Sequence, residues 1–268
     1  MDASAHGPPR GLLDPRAGEG LYRESFIPAA PDLAGIVAHH WAVRWDLRGR
    51  APHVVEVLPH PAVVLVVAEG RCRVHGVLRG KFSDALTGRG EIFGTTFRPA
   101  GFHAVFGRSV AALTDRVLPG TDIFGSAALE FADRIATAPI DDRGPVAEEF
   151  VRQHLSPPGS RAALVNEIVD TVLIDRSILR VDDLVDRFGI GKRLLQKLFR
   201  EQVGVTPKWV IQRYRLHEAA QRLADADVDL ATVAAELGYA DQAHFARDFK
   251  SATGRPPAVY RGRSPQRL

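Results

Sequence analysis

One stretch of this chain is written twice. Gly189-Ile190 corresponds to Gly238-Tyr239 at an offset of 49 residues, and Leu195, Phe199, Arg200, Gly204 and Pro207 correspond to Phe245, Phe249, Lys250, Gly254 and Pro257 at an offset of 50. Each copy reads as a short helix, a glycine-containing turn and a second helix with apolar residues four apart, about one helical turn, on one face. That unit, occurring twice, is the pattern of two helix-turn-helix motifs. The surrounding signals agree. "VDDLVDRFG" opens on acids and stops at Gly189, Thr206 caps a helix whose first residue is Pro207, and Asp241 stands as the N-cap of "QAHFARDFKSATG". Residues 161–268 are therefore expected to be all-helical, with "TPKWVIQRYRLHEAAQRL" as a long helix joining the two units.

Charge separates this region from the rest. The whole chain carries a formal +3, but between Lys192 and Arg215 seven basic residues (Lys192, Arg193, Lys197, Arg200, Lys208, Arg213 and Arg215) meet a single acid, Glu201. A local basic strip is what an anionic partner meets first. On the first repeated helix Arg193, Gln196 and Lys197 lie on one side, and Leu194, Leu195, Leu198 and Phe199 on the other.

"VAAELGYADQAHFARDFKSATGRPPAVYR", Val233 to Arg261, resembles the C-terminal signature of AraC/XylS-type transcription regulators, and "LVDRFGIGKRLLQKLF" resembles the first unit of the same family. Gly191 departs from the family's usual serine cap and Pro256 from its usual Ser or Thr. The resemblance implies a protein that binds double-stranded DNA, with the second helix of each unit in the major groove, where every base pair is distinguishable. Carried onto this sequence, Arg193, Gln196 and Lys197 in the first unit and Gln242, His244 and Arg247 in the second are the expected base readers, with Ala243 beside them. Lys192, Arg200, Arg213 and Lys250 are the expected phosphate contacts, which supply affinity and salt dependence.

The first half reads differently. Residues 1–20 are rich in Gly, Pro and Ala and are expected to form a disordered tail, followed by a β-rich domain over 21–155, a linker over 156–160 and the DNA-binding domain over 161–268. Short runs such as "HHWAVRWDL", "HVVEVL", "AVVLVVA", "RCRVHGVL", "GEIFGTTFR" and "HAVFG" suggest antiparallel strands of a sandwich or barrel. "GSAALEFADRIATA" and "GPVAEEFVRQHL" read as amphipathic helices, placing Leu129, Ile135, Val146 and Phe150 either in a dimer seam or against the barrel. "WAVRWDL", "VLPHPAVVLVV" and "GEIFGTTFRPAGFHAVFG" resemble the N-terminal domain of a subgroup of regulators that carry the same C-terminal units. The resemblance implies an α+β protein with a cupin-like sensing domain, a small-molecule effector, a homodimer, and contact with RNA polymerase where the protein activates.

Other chemistry has little to stand on. Single Cys72 excludes a disulfide framework, and no His-x-His pair occurs among His39, His40, His53, His60, His75 and His103. No phosphate-binding glycine loop, serine elbow or His-Glu-x-x-His appears, so no catalytic residue, metal or cofactor is expected. Trp45, His60, Phe97, Arg98 and His103 are candidates to line an effector pocket. The absence of an 18-residue apolar run argues for a cytoplasmic protein with no membrane partner, and the resemblance implies a bacterial, nucleoid-associated one. The competing readings are a cupin-type metalloenzyme carrying a DNA-binding module and a nucleoid binder with no preferred sequence.

Overall fold

In the run from Val64 to Ala68, Leu65 and Val67 are buried and their neighbours half-buried, the period of two that makes a strand. The computed structural model describes residues 11–13, 15–156, 161–223 and 228–260. The strands are β1 (Tyr22–Pro28), β2 (Val37–Asp46), β3 (His53–Val57), β4 (Val64–Ala68), β5 (Arg71–His75), β6 (Phe82–Leu86), β7 (Arg89–Phe97) and β8 (Val117–Pro119). Six of them form one antiparallel sheet in the order β1-β2-β7-β4-β5-β8, while β3 and β6 pair only with each other. The antiparallel strands expected of a sandwich or barrel are thus present, arranged as a large sheet and a separate two-stranded ribbon. Ring contacts of 6.0 Å between Tyr22 and His53, and between His75 and Phe82, set the ribbon against one face of the sheet.

The opposite face of the sheet holds the core of the first half. Ala42, Phe93, Leu65, Val67 and Val74 pack beneath α3 (Ala127–Thr137) and α4 (Arg143–Gln153), which bury Phe131, Ile135, Phe150 and Val151. Of the two arrangements the sequence left open for these helices, this one buries Ile135 and Phe150 within a single chain and leaves Leu129 58% exposed. The run "HAVFG" is corrected from strand to helix α1 (Gly101–Phe106). Phe102 and Phe106 stack 5.8 Å apart across one helical turn, and Gly107 closes the helix in the left-handed conformation. Between these elements lies the short helix α2 (Thr121–Phe124).

The second half is helical as its periodicity requires: α5 (Ala162–Ile174), α6 (Val181–Phe188), α7 (Lys192–Leu198), α8 (Pro207–Arg222), α9 (Leu230–Glu236), α10 (Gln242–Thr253) and α11 (Pro257–Tyr260). It has two cores, and residues of the first half complete both. Val77 and Ala100 join Leu184, Leu195, Phe199 and Val210 around the first unit, while Leu13 and Leu58 join Leu216, Val233, Phe245 and Phe249 around the second. Leu13 corrects the reading of residues 1–20 as a tail without structure. Its N–H donates to the Glu56 carbonyl at 2.9 Å, and Gly11 accepts from Leu58 N–H at 2.7 Å, so Gly11–Leu13 runs beside β3. Residues 1–10 and 14, residues 157–160 of the expected linker, and residues 261–268 lie outside the described residues.

Two buried titratable groups in the first half make the fold testable. Burial pushes the Cys72 thiol up to about 12, so it stays protonated and shielded. In the folded protein Ellman's reagent should leave it unlabelled, whereas in guanidinium it should titrate one thiol per chain. His40 is fully buried, with Nδ1 2.9 Å from Thr95 Oγ1 and its ring stacked on Phe93. Its burial outweighs the pull of Glu148, whose carboxylate lies 3.6 Å from Nε2, and holds the imidazole below its ordinary 6.5. The unfolded chain therefore takes up a proton here before the folded one does, so stability is full above about pH 6.5 and falls as the pH drops below it. Burial depresses His75 in the same direction. The unfolding midpoint should drop between about pH 7.5 and 5.5, and His40→Asn should make that drop shallower.

Candidate nucleic-acid interface

Each unit is built from the same four decisions in the sequence. Gly189 and Gly238 end α6 and α9 with φ of 61° and 71°, the left-handed conformation that lets the chain turn sharply without a Cβ penalty. The next helix starts at once: Asp241 Oδ1 accepts the His244 N–H at 2.6 Å, while Gly191, lacking a side chain, caps α7 with none. Leu195 and Phe199, like Phe245 and Phe249, are fully buried against the unit's other helices. Gly204 and Gly254 then close the second helix of each unit, both left-handed.

With these anchors inside, the polar row faces out. Lys192, Arg193, Gln196, Lys197 and Arg200 are exposed along the first unit, and Gln242, Ala243, His244, Arg247 and Lys250 along the second. Among the described residues Arg193, Arg200 and Arg247 form no salt bridge, so their charge is open to solvent. The acid next to Arg247 in sequence, Asp248, lies instead 3.6 Å from His244 Nε2. Lys192 is held by Asp182 of α6 at 2.8 Å and Lys197 faces Glu201 at 3.8 Å, both at the surface, where such pairs are weak and yield to a phosphate.

Arg213 is corrected. It is 2% exposed, its guanidinium stacks 4.6 Å from the Trp209 ring, and Nη2 donates to the Arg79 carbonyl of the first half. Burial lowers its pKa to about 10. In this arrangement no phosphate can reach it. It belongs to the seam between the halves, because its place on α8 faces inward and periodicity alone does not distinguish a core-facing arginine from a solvent-facing one.

The expected effector-pocket residues do not converge. Phe97 is in the core, Trp45 lies on the sheet face toward the ribbon, and His103 bonds the Arg108 carbonyl beside α1. His60 stacks on His217 of α8 at 4.3 Å, and Arg98 pairs with Asp170 of α5. Arg98 alone among them lines the open cleft of about 700 Å³ between α5 and the loop carrying Asp32 and Gly35.

Sequence reasoning missed the contacts that hold the recognition helices from behind. α7 continues into a π-helical turn, Phe199–Val203, against which the first half sets Ser109 and Thr114. Thr114 Oγ1 donates to the Gly204 carbonyl at 2.6 Å. At the end of α10, Arg255 reaches Glu56 of β3 at 3.2 Å, and Lys81 pairs with the same carboxylate. Arg215 lies over the Tyr239 ring at 4.4 Å, tying α8 to the turn of the second unit. None of these pairs is close in sequence, so no local signal announces them.

Among the described residues no three His, Cys, Asp or Glu side chains gather as metal ligands, and no helix is long and apolar enough to cross a membrane.

Known proteins share these features. Residues 184–263 match a helix-turn-helix domain family, and residues 25–119 match a domain of unknown function (DUF6597). The transcriptional activator RhaS of Pectobacterium carotovorum is 35% identical over 78 residues, which cover 29% of this chain and 28% of that protein, so the chain spans under a third of the length of that relative. The activator NphR of a Rhodococcus species is 29% identical over 213 residues, covering 79% of this chain and 57% of NphR. The probable transcription factor PqrA of Proteus vulgaris is 31% identical over 101 residues, covering 37% of this chain and 83% of PqrA. Two glycine-turned units with buried aromatic anchors, matched across most of such a relative, make this chain a member of the AraC-type family of helix-turn-helix transcription regulators.

Proposed function

We propose that the protein is a sequence-specific DNA-binding transcription regulator without catalytic activity of its own, in which α7 and α10 read successive major-groove segments and the first half responds to a small molecule. The observation that carries this reading is the shared orientation of the two helices within their units. In both, the anchors Leu195 and Phe199, or Phe245 and Phe249, are buried, and the N-terminal turns present Arg193, Gln196 and Lys197 or Gln242, His244 and Arg247 to solvent. The N-terminal residues of a recognition helix are those that meet base edges. Arg193 and Arg247 suit guanine through bidentate bonds, and Gln196 and Gln242 suit adenine. The 16 residues of α8 span roughly 24 Å at 1.5 Å per residue. That length suits two helices entering grooves about one duplex turn apart on one side of the DNA.

Lys192, Arg200 and Lys250 take the phosphate role in this proposal. Replacing Lys250 by Ala should weaken binding to all sequences alike and reduce the salt slope by roughly one. Arg213→Ala should leave that slope unchanged and lower the unfolding midpoint, since its guanidinium lies at the seam of the two halves.

The direct experiment is selection of sites from a random DNA pool with the full chain at about 150 mM salt, repeated with Arg193→Ala and Arg247→Ala. The expected result is a motif of two blocks about ten base pairs apart, each blurred by one variant, with Arg247→Ala costing about 1–3 kcal/mol at the preferred site. Equal weakening on every sequence would make Arg247 a phosphate contact, and the absence of any motif would refute sequence-specific reading by the full chain.

A further inference from the structure

The sheet face turned toward the ribbon carries a group the DNA-binding reading does not use. Antiparallel pairing puts Tyr22 opposite Trp45, Glu24 opposite Val43 and Phe26 opposite Trp41. These side chains share one face, with directly opposed Cβ atoms about 5 Å apart and diagonal neighbours about 7–8 Å apart. Glu24 therefore sits among four aromatic residues, two beside it on β1 and two diagonal on β2.

The two indoles are held with their flat sides along the sheet. A Cβ on Gly94 would stand 2.2 Å from Trp41, and one on Gly90 would stand 2.2 Å from Trp45, so each ring lies directly on a glycine of β7. Their N–H groups are already satisfied, Trp41 Nε1 donating to Thr96 Oγ1 at 3.1 Å and Trp45 Nε1 to the Thr87 carbonyl at 3.0 Å. The ring faces are left to make contacts that need no hydrogen bond. Phe26 is 45% exposed and both tryptophans are half-buried, although this is an apolar surface a protein gains by covering.

Glu24 is the acid of this patch. It has no ion-pair or hydrogen-bond partner among the described residues, and it remains open to solvent. Even so, partial desolvation by the atoms around it pushes its carboxyl pKa up. Aromatic faces around an unpaired carboxylate suit one kind of guest. A cation lying over the rings is attracted by their quadrupoles, most strongly when desolvated, and the carboxylate supplies the opposite charge.

We propose that Tyr22, Phe26, Trp41 and Trp45 around Glu24 form a binding site for an organic cation, an ammonium group carried on an apolar body. This deepens the reading of the first half as the effector-responsive part, and it is tested without DNA so that its failure and that of DNA recognition are separate results.

The test is calorimetric titration of the full chain with phenethyltrimethylammonium and, in parallel, with neutral phenethyl alcohol. The cation should bind at least about tenfold more tightly than the alcohol. Glu24→Gln, which keeps the side-chain volume, should bring the two within about threefold, and Phe26→Leu should weaken the cation more than the alcohol. Equal affinities in the parent protein, no measurable heat with the cation, or a tenfold preference that survives Glu24→Gln would each overturn the proposal.

Discussion

The second half depends on where four side chains go. Leu195, Phe199, Phe245 and Phe249 are each fully buried, and burial of an apolar side chain of this size stabilises by roughly 1.5–3 kcal/mol. Rotating α10 by one residue, about 100°, would expose both phenylalanines and press His244 and Asp248, or Ala246 and Lys250, toward the core. The outward row of polar residues is thus fixed by the inward row of apolar ones. The glycines at 189 and 238 serve the same end, because only a left-handed turn at those points brings the following helix back across its unit with the anchors inside.

This is why so much of the second half could be read from the sequence and so little of the seam could. Helical period, glycine C-caps and the Thr206 and Asp241 N-caps are local signals, written within a few residues of the structure they cause. β1 gives no clear strand signal because "YRESFIP" mixes charged and apolar residues, nor does β6, because "FSDAL" is short and polar on its outer side. "HAVFG" has strand-like composition, yet its phenylalanine joins Phe102 one turn earlier and Gly107 ends a helix, a period of four that a five-residue window cannot show. Arg213 is hidden from sequence reading for a related reason. A basic residue on a basic helix reads as solvent-facing until a partner distant in sequence, here the Arg79 carbonyl, is known to lie above it.

The effector-pocket residues mark the limit most clearly. Trp45, His60, Phe97, Arg98 and His103 share a chemical type suited to a pocket, but strand alternation sends Phe97 to the α3–α4 side of the sheet and Trp45 to the ribbon side. Register, which decides this, is a property of pairing between strands. Once the register is known, the same Trp45 stands opposite Tyr22 and on one face with Glu24, Phe26 and Trp41.

The ribbon links that patch to the DNA-binding units. β3 and β6 share no backbone pairing with the large sheet, so side chains and the strand-like passage of Gly11–Leu13 set their position. One face of the ribbon approaches the sheet through His53 and Phe82, while Glu56, one residue before the end of β3, meets Arg255 beyond α10. The first unit is held differently, by Ser109, Thr114, Val77 and Ala100. A guest on the aromatic face would therefore bear on the ribbon, which meets the second unit through Glu56 and Arg255. It could shift that unit only to the extent that it binds one ribbon position better than another, since a ligand with equal affinity for two states moves neither.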